Sequence, residues 1–202
     1  MKEILARIWK LRFETGVAGE NALKKSKIPI KKLLEKNFIE KNRAGYTLTE
    51  KGRKKIKVVA CGGVFDILHP GHGFVLEKAK EYGDVLVVIV ARDSTVAKRK
   101  RIPIVSEGQR VAMLEYLKPV DIAVLGREDD PLKVIEIIKP DIIALGPDQY
   151  HDEEQIKKEL KKRGLSVKVV RIKEYKKYPL HSTKSILQKI IERGYPGART
   201  KQ

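Results

Sequence analysis

The sequence predicts an α/β chain: a five-stranded open parallel sheet preceded by a small unit of helices and a β-hairpin. Three observations carry that expectation. Strand-like and helix-like stretches alternate from residue 57 to residue 193. The strand-like runs, above all "DVLVVIVA", are almost wholly apolar and β-branched, as parallel strands covered on both faces must be. The charge is also uneven, since residues 1–56 hold 16 Lys/Arg against 6 Asp/Glu, a net +10 out of a chain total of +18. We therefore expect a domain over 1–56, a larger one over 57–193 and a tail over 194–202.

In the first unit, "KEILARIWKLRF" spaces its apolar residues as a helical stripe. "GENALKKSKIPIKKLLEKNFIE" reads as two short helices broken near Ile28 and Pro29, because proline disfavours helix at the residue before it. "FIEKNRAGYTLTEKGRKKI" then gives two short strand-like pieces around a turn at Asn42 to Gly45. Three helices and a hairpin make a winged helix, and "GYTLTEKGRK" resembles the wing ending of many such domains. Lys31, Lys32 and Lys36 on "PIKKLLEKN" make DNA phosphates one expected partner. A structural or regulatory role is the other.

In the second unit, "KVVACGG" is a short buried strand and "GHGFVLEKAKEY" a helix. "DVLVVIVA" is the second strand, and "SEGQRVAMLEYL" is a helix with a Ser cap. "VDIAVLG", "PLKVIEII", "PDIIALG", "DEEQIKKELKKRG", "LSVKVVRI" and "STKSILQKIIERG" continue the alternation. This is the pattern of a Rossmann-like sheet, whose ligand crevice lies beyond the carboxyl ends of the strands where their order reverses.

Composition narrows the functional classes. With 202 residues, 42% hydrophobic and 35% charged, the chain reads as soluble and globular. No apolar run approaches the ~20 residues of a membrane span, and "MKEILARIWK" lacks a continuous apolar signal core, so a cytoplasmic location and no membrane partner are expected. One cysteine, Cys61, excludes an internal disulfide framework and leaves too little thiol for a zinc site. The basic excess favours polyanions, either nucleic acid or phosphorylated small molecules.

The chemistry concentrates at the first strand exit, "GGVFDILHPGHG". Neither a Walker loop nor a dinucleotide fingerprint is present. Instead Gly62 and Gly63 lead to His69-Pro70-Gly71-His72 at a helix start, where proline suits the first turn. The helix supplies backbone N–H donors and partial positive charge, and two imidazoles add further donors. That set attracts the negative charge that develops on a phosphoryl group. A metal site or a structural pair are the other uses of two histidines, but metal sites commonly space them four apart on a helix and need a third ligand. No protein-held metal is expected.

"GGVFDILHPGH" resembles the G-x-F-D-x-x-H-x-G-H signature of the nucleotidyltransferase superfamily that includes cytidylyltransferases and pantetheine-phosphate adenylyltransferases. That superfamily's second element, an I-S-S-T-like motif opening the last helix, is matched by "LHSTKSI". Ser182 and Thr183 match, His181 stands where Ser is usual, and Lys184 is the nearest cation to the arginine often found there. "VIVARDSTVAKRK", "KPDIIALGPDQ" and "RIKEYKKYPLHSTKSI" look most like the archaeal-type FAD synthetase branch, although Tyr178 occupies a region where that branch tends to carry cysteine.

The resemblance implies transfer of AMP from ATP to FMN with release of pyrophosphate, with Mg²⁺ riding on the nucleotide. It implies His69, His72 and Lys184 as catalytic groups. Nucleotide contacts would come from Val64, Phe65, His69, Pro70, Gly71, His72, Asp148, Tyr175, Ser182 and Thr183. A basic lid would include Lys98, Arg99, Lys100 and Arg101, and a homodimer is expected. Two alternatives stay open: a CTP-dependent cytidylyltransferase acting on glycerol 3-phosphate or a similar alcohol phosphate, and a winged-helix DNA-binding regulator whose second domain senses a nucleotide.

Overall fold

The computed structural model describes residues 1–23, 29–98, 102–149, 151–174 and 178–194. It opens with α1 (Lys2–Thr15), α2 (Glu20–Leu23) and α3 (Ile30–Glu35). The antiparallel hairpin β1 (Ile39–Asn42) and β2 (Gly45–Leu48) follows, with Ile39 opposite Leu48 and Asn42 opposite Gly45. Asn42 turns the hairpin by accepting the Ala44 N–H on its side chain at 3.0 Å, a bond short polar residues make readily in turns. Gly45 is obligatory there: its φ is +91°, and a Cβ would lie 2.4 Å from the Ala18 carbonyl oxygen, which accepts the Tyr46 N–H. The chain beyond Leu48, expected to extend the second strand-like piece, instead forms α4 (Glu50–Arg53). Thr49 explains this, because its hydroxyl caps Gly52 N at 3.1 Å and donates to the Asn37 carbonyl at 2.7 Å.

From Lys57 the chain enters the sheet directly. In chain order come β3 (Val58–Gly63), α5 (Pro70–Glu81), β4 (Val85–Val90), α6 (Asp93–Ala97), α7 (Glu107–Glu115), β5 (Ile122–Leu125), α8 (Lys133–Ile138), β6 (Ile142–Leu145), α9 (Glu153–Lys162), β7 (Lys168–Arg171) and α10 (Thr183–Arg193). The strands run parallel in the order β5-β4-β3-β6-β7. All five expected strands are present, and α6 is an addition: "RDSTVAKRK", expected as an open loop, begins as a helix. Its Asp93 sits in the first turn, where a carboxylate complements the helix dipole. Arg99, Lys100 and Arg101 of the expected lid lie outside the described residues.

Alternation along the strands divides the core in two. Val58, Ala60, Val85, Val87, Ile122, Ile143 and Val169 face the side covered by α8 and α9, in one cluster that also takes in Ile4, Leu5 and Ile8 of α1 and Leu33, Phe38 and Tyr46 around the hairpin. Val59, Cys61, Leu86, Val88, Ala123 and Ala144 face Leu76 and Ala79 of α5 and Leu114 of α7. Each fully buried side chain of this size contributes roughly 1.5–3 kcal/mol. Burial raises the Cys61 thiol pKa to about 12, which keeps it protonated and inert.

Three strands open on the same device. Asp84, Asp121 and Asp141 each stand just before a strand, and each accepts a backbone N–H from the neighbouring strand edge: Lys57 at 2.7 Å, Leu86 at 2.6 Å and Val58 at 2.8 Å. Each also meets a cation: Lys2 with Asp84, Lys80 with Asp121, and Arg53 with Asp141 at 2.9 Å. Lys2 and Arg53 belong to the N-terminal unit, which thus docks on the amino ends of the strands. Among the described residues no helix is long and apolar enough to cross a membrane.

Candidate active site

Strand order reverses between β3 and β6, so the loops leaving their carboxyl ends diverge and leave a crevice. The loop after β3 carries the histidine motif. His69 is the residue before α5 and adopts an extended backbone (φ −145°, ψ 166°), while Pro70 occupies the first helical position. His69 and His72 stack with ring centroids 3.8 Å apart, and Phe65 lies against His72 at 5.2 Å. Phe65 itself is buried and holds φ +54°, a strained value for a bulky residue and one that turns the chain sharply off the strand.

Nδ1 of His69 is buried with no hydrogen-bond partner among the described residues. Burial lowers the pKa of this histidine, and the neighbouring His181 lowers it further, against an opposing pull from Asp148. A polar atom hidden from water and left without a partner is costly.

The other motif elements converge on the same place. A Cβ on Gly71 would lie 3.0 Å from the His69 ring and 3.2 Å from the His181 carbonyl oxygen, so the loop before α10 passes directly over the start of α5. Ser182 caps α10 by accepting the Ser185 N–H at 3.1 Å, and Ser185 returns a bond to the Ser182 N–H at 3.1 Å. Two helix starts therefore face one crevice, with Thr183 in the first turn and Lys184 exposed beside it. Asp148 lies in the loop after β6, close enough to His69 to influence its charge. Val64 follows β3, and its carbonyl accepts a hydrogen bond from Arg110 behind the loop. Tyr175 lies outside the described residues.

Several supporting side chains carry no periodic signal and were not expected. Asp66 is buried and accepts the N–H groups of Ile104 and Val105, both at 2.9 Å. Arg110, fully buried, donates to the carbonyls of Val64 and Val105 and pairs with Asp93. Glu107 receives Arg92 at 2.8 Å and the Asp93 N–H at 2.8 Å. On the far side of the crevice Gln149 donates to the Gly62 carbonyl at 2.6 Å and accepts the Gly146 N–H at 3.2 Å, lacing the ends of β3 and β6. Arg171 holds the same loop through the carbonyls of Gly146 at 3.0 Å, Gln149 at 2.9 Å and His151 at 2.6 Å. Asp66 and Gln149 sit inside quoted motifs, a signal that adjacency alone offers; Arg110 looks like an ordinary polar position on an amphipathic helix.

The chain is similar to known proteins over the span that holds these elements. A family model described as cytidylyltransferase-like matches residues 60–189. An FAD synthase of Methanothermus fervidus is 63% identical over 131 residues, covering 63% of this chain and 90% of the relative. An FAD synthase of Aciduliprofundum boonei is 54% identical over 138 residues, covering 68% of this chain and 92% of the relative. A crystal structure of a lipopolysaccharide core biosynthesis protein from Thermoplasma volcanium aligns with TM-score 0.59 and 48% identity, over 60% of this chain and 99% of its own. Pantoate-beta-alanine ligase from Francisella tularensis aligns with TM-score 0.50 at 18% identity, over 67% of this chain and 66% of its own, which shows a common fold. The matched span takes in the strand exit, the stacked imidazoles and the capped start of α10, and the chain belongs to the cytidylyltransferase-like family of nucleotidyltransferases.

Proposed function

We infer that the chain is an FAD synthase, a nucleotidyltransferase that moves AMP from ATP to the phosphate of FMN and releases pyrophosphate. What carries this reading is the relatives of that name, which match over nine-tenths of their own length and share the span holding both motifs. An FMN phosphate oxygen attacks the α-phosphorus of ATP, the bond to the β-bridging oxygen breaks, and pyrophosphate departs with that electron pair. The phosphate is already an anion at neutral pH, so no group has to remove a proton. The barrier lies in bringing two anions together and holding them in line.

His69 and His72, at the positively polarised start of α5, are the donors for the α- and β-phosphates in this proposal. Ser182, Thr183 and Lys184 receive the pyrophosphate at the start of α10. Pro70 and Gly71 let the nucleotide approach the helix closely, and Val64, Phe65 and Asp148 border it. A divalent cation arriving with the nucleotide neutralises its phosphate charge. Among the described residues no group of three His, Cys, Asp or Glu side chains is gathered to hold such an ion itself.

The N-terminal unit, which we assign to the winged-helix class from its element order, serves here as a prop under the sheet. Its shared core with β3 and β4 supports that role. Lys31, Lys32 and Lys36 are exposed, and a salt-dependent preference for one duplex sequence would instead favour a DNA contact. The test of the whole proposal is to incubate the purified chain with Mg²⁺, ATP and FMN, and separately with Mg²⁺, CTP and glycerol 3-phosphate. FAD should form in the first mixture. Pyrophosphate release in the second alone would overturn the reading.

A further inference from the structure

Beyond the end of β3 lies a series of ring contacts that phosphate binding by two histidines does not by itself require. Phe65 is only 5% exposed and belongs to the apolar cluster that holds Val59, Cys61 and Leu76. A Cβ on Gly63 would lie 2.8 Å from Cε2 and 2.9 Å from Cζ of its ring, so the ring rests against the bare Cα of that glycine. The same ring meets His72 at 5.2 Å between centroids and an interplanar angle of 55°. His72 in turn stacks on His69 at 3.8 Å and 23°. The contacts therefore run in series, from Gly63 to Phe65 to His72 to His69.

The turn that presents Phe65 is clamped on both flanks. A φ of +54° is strained for a bulky residue and persists only where the surroundings hold it. On one flank Arg110 donates to the Val64 carbonyl. On the other the Asp66 carboxylate accepts the N–H groups of Ile104 and Val105, both at 2.9 Å. Nδ1 of His69 has no hydrogen-bond partner among the described residues, so that atom does not orient its ring. Contact with a fixed neighbour does.

We propose that Phe65, seated on Gly63, is a positioning residue that fixes the plane of His72 and, through it, of His69, so that both imidazoles meet the phosphates in the geometry of transfer. The ring is buried, so it acts through the imidazoles and not by touching the substrate. The proposal rests on the nucleotidyltransferase reading above and adds to it a part for the strained turn and for the glycine two residues before it. Donors held by locked, packed neighbours are what such chemistry needs, and a misplacement of about 1 Å can cost roughly a hundredfold in rate. Leucine at 65 stays apolar but loses the flat ring; alanine at 63 lifts the ring from its seat.

The experiment is a double-mutant cycle on the full chain, run on whichever transfer the unsubstituted chain performs in the two mixtures above. Phe65→Leu and Gly63→Ala should each lower kcat by about 10–100-fold. KM for the nucleotide should change by less than about threefold, because alignment in the transition state is lost and ground-state binding is not. In a His72→Ala background the same substitutions should lower kcat by less than about twofold further, since the group they position is gone. If the losses multiply in full there, Phe65 does not act through His72 and the proposal fails. It fails equally if both variants only lower the melting temperature and keep a normal kcat at a permissive temperature, as a purely structural ring would. Should neither variant fold, the unsubstituted chain still decides: with isotope-labelled histidine and no nucleotide, nuclear Overhauser contacts should join the Phe65 and His72 rings, and their absence would remove the seat. Rejection of FMN as acceptor leaves the cycle standing, and FAD formation is read separately from it.

Discussion

At the amino ends of the central strands, Asp84, Asp121 and Asp141 each bond the edge of a neighbouring strand and each meets a lysine or arginine. At the carboxyl ends, the same sheet presents a buried Nδ1 of His69 without a partner among the described residues, a stacked imidazole pair and a phenylalanine at positive φ. One end has spent its polar groups on itself; the other, though Arg110, Gln149 and Arg171 tie its loops, leaves an imidazole nitrogen over. The difference teaches where to look for stability and where for chemistry. A saturated edge fixes register and carries the N-terminal unit, while an unsaturated one stays costly until a ligand completes it.

Changes at the two ends should therefore separate cleanly. His69→Ala or His72→Ala should lower turnover by about 10²–10³-fold, the usual loss when a donor to developing charge is removed, with thermal unfolding little changed. Near-normal AMP transfer by either variant would dissolve the contrast. Arg110→Met lies behind the carboxyl end and should act on both properties. It strips partners from the Val64 and Val105 carbonyls and from Asp93, costing about 2–4 kcal/mol in denaturant unfolding, and it should raise KM for ATP as the loop after β3 loosens.

Gly45→Ala strikes the N-terminal unit alone. Its φ of +91° and the clash with the Ala18 carbonyl should cost about 1–3 kcal/mol. FAD formation at a permissive temperature should be unaffected, and a large fall in kcat would mean that the unit reaches the crevice. Asp141→Asn removes the partner of a partly exposed Arg53 and should cost only about 1 kcal/mol.

The smallest effect is a pH slope. Because the folded chain lowers the His69 pKa below its usual 6.5, the unfolded chain binds more protons in the range between the two values. The stability this contributes is complete above about 6.5 and declines as pH falls through it. A melting-temperature profile from pH 7.5 to 5.5 should be flatter in His69→Ala, and equal slopes would remove burial as the cause.

How much of this was legible follows from the physics of each element. The five strands could be read because both faces of the sheet are covered, so "DVLVVIVA" and "PDIIALG" carry an unbroken apolar signal. The starts of α5 and α10 could be read because a proline in the first turn and a serine cap are particular residue types at fixed places. Helix α4 was missed because Thr49 caps it through a tertiary bond to Asn37, which no local pattern displays. Helix α6 was missed because "RDSTVAKRK" is polar and short, and its Asp93 is placed by Arg110 and Glu107 from the next helix. Arg110, Gln149 and Arg171 hold carbonyls across the fold, and such bonds follow from topology rather than composition.

The solitary sulfhydryl of Cys61, sealed inside the sheet and held far from its reactive form, has a practical corollary. A cysteine placed on the exterior would be the one accessible thiol in the molecule, so a dye or spin label attached at α10 or near the crevice would report from a single known address. Stocks could also be kept in air without cross-linking.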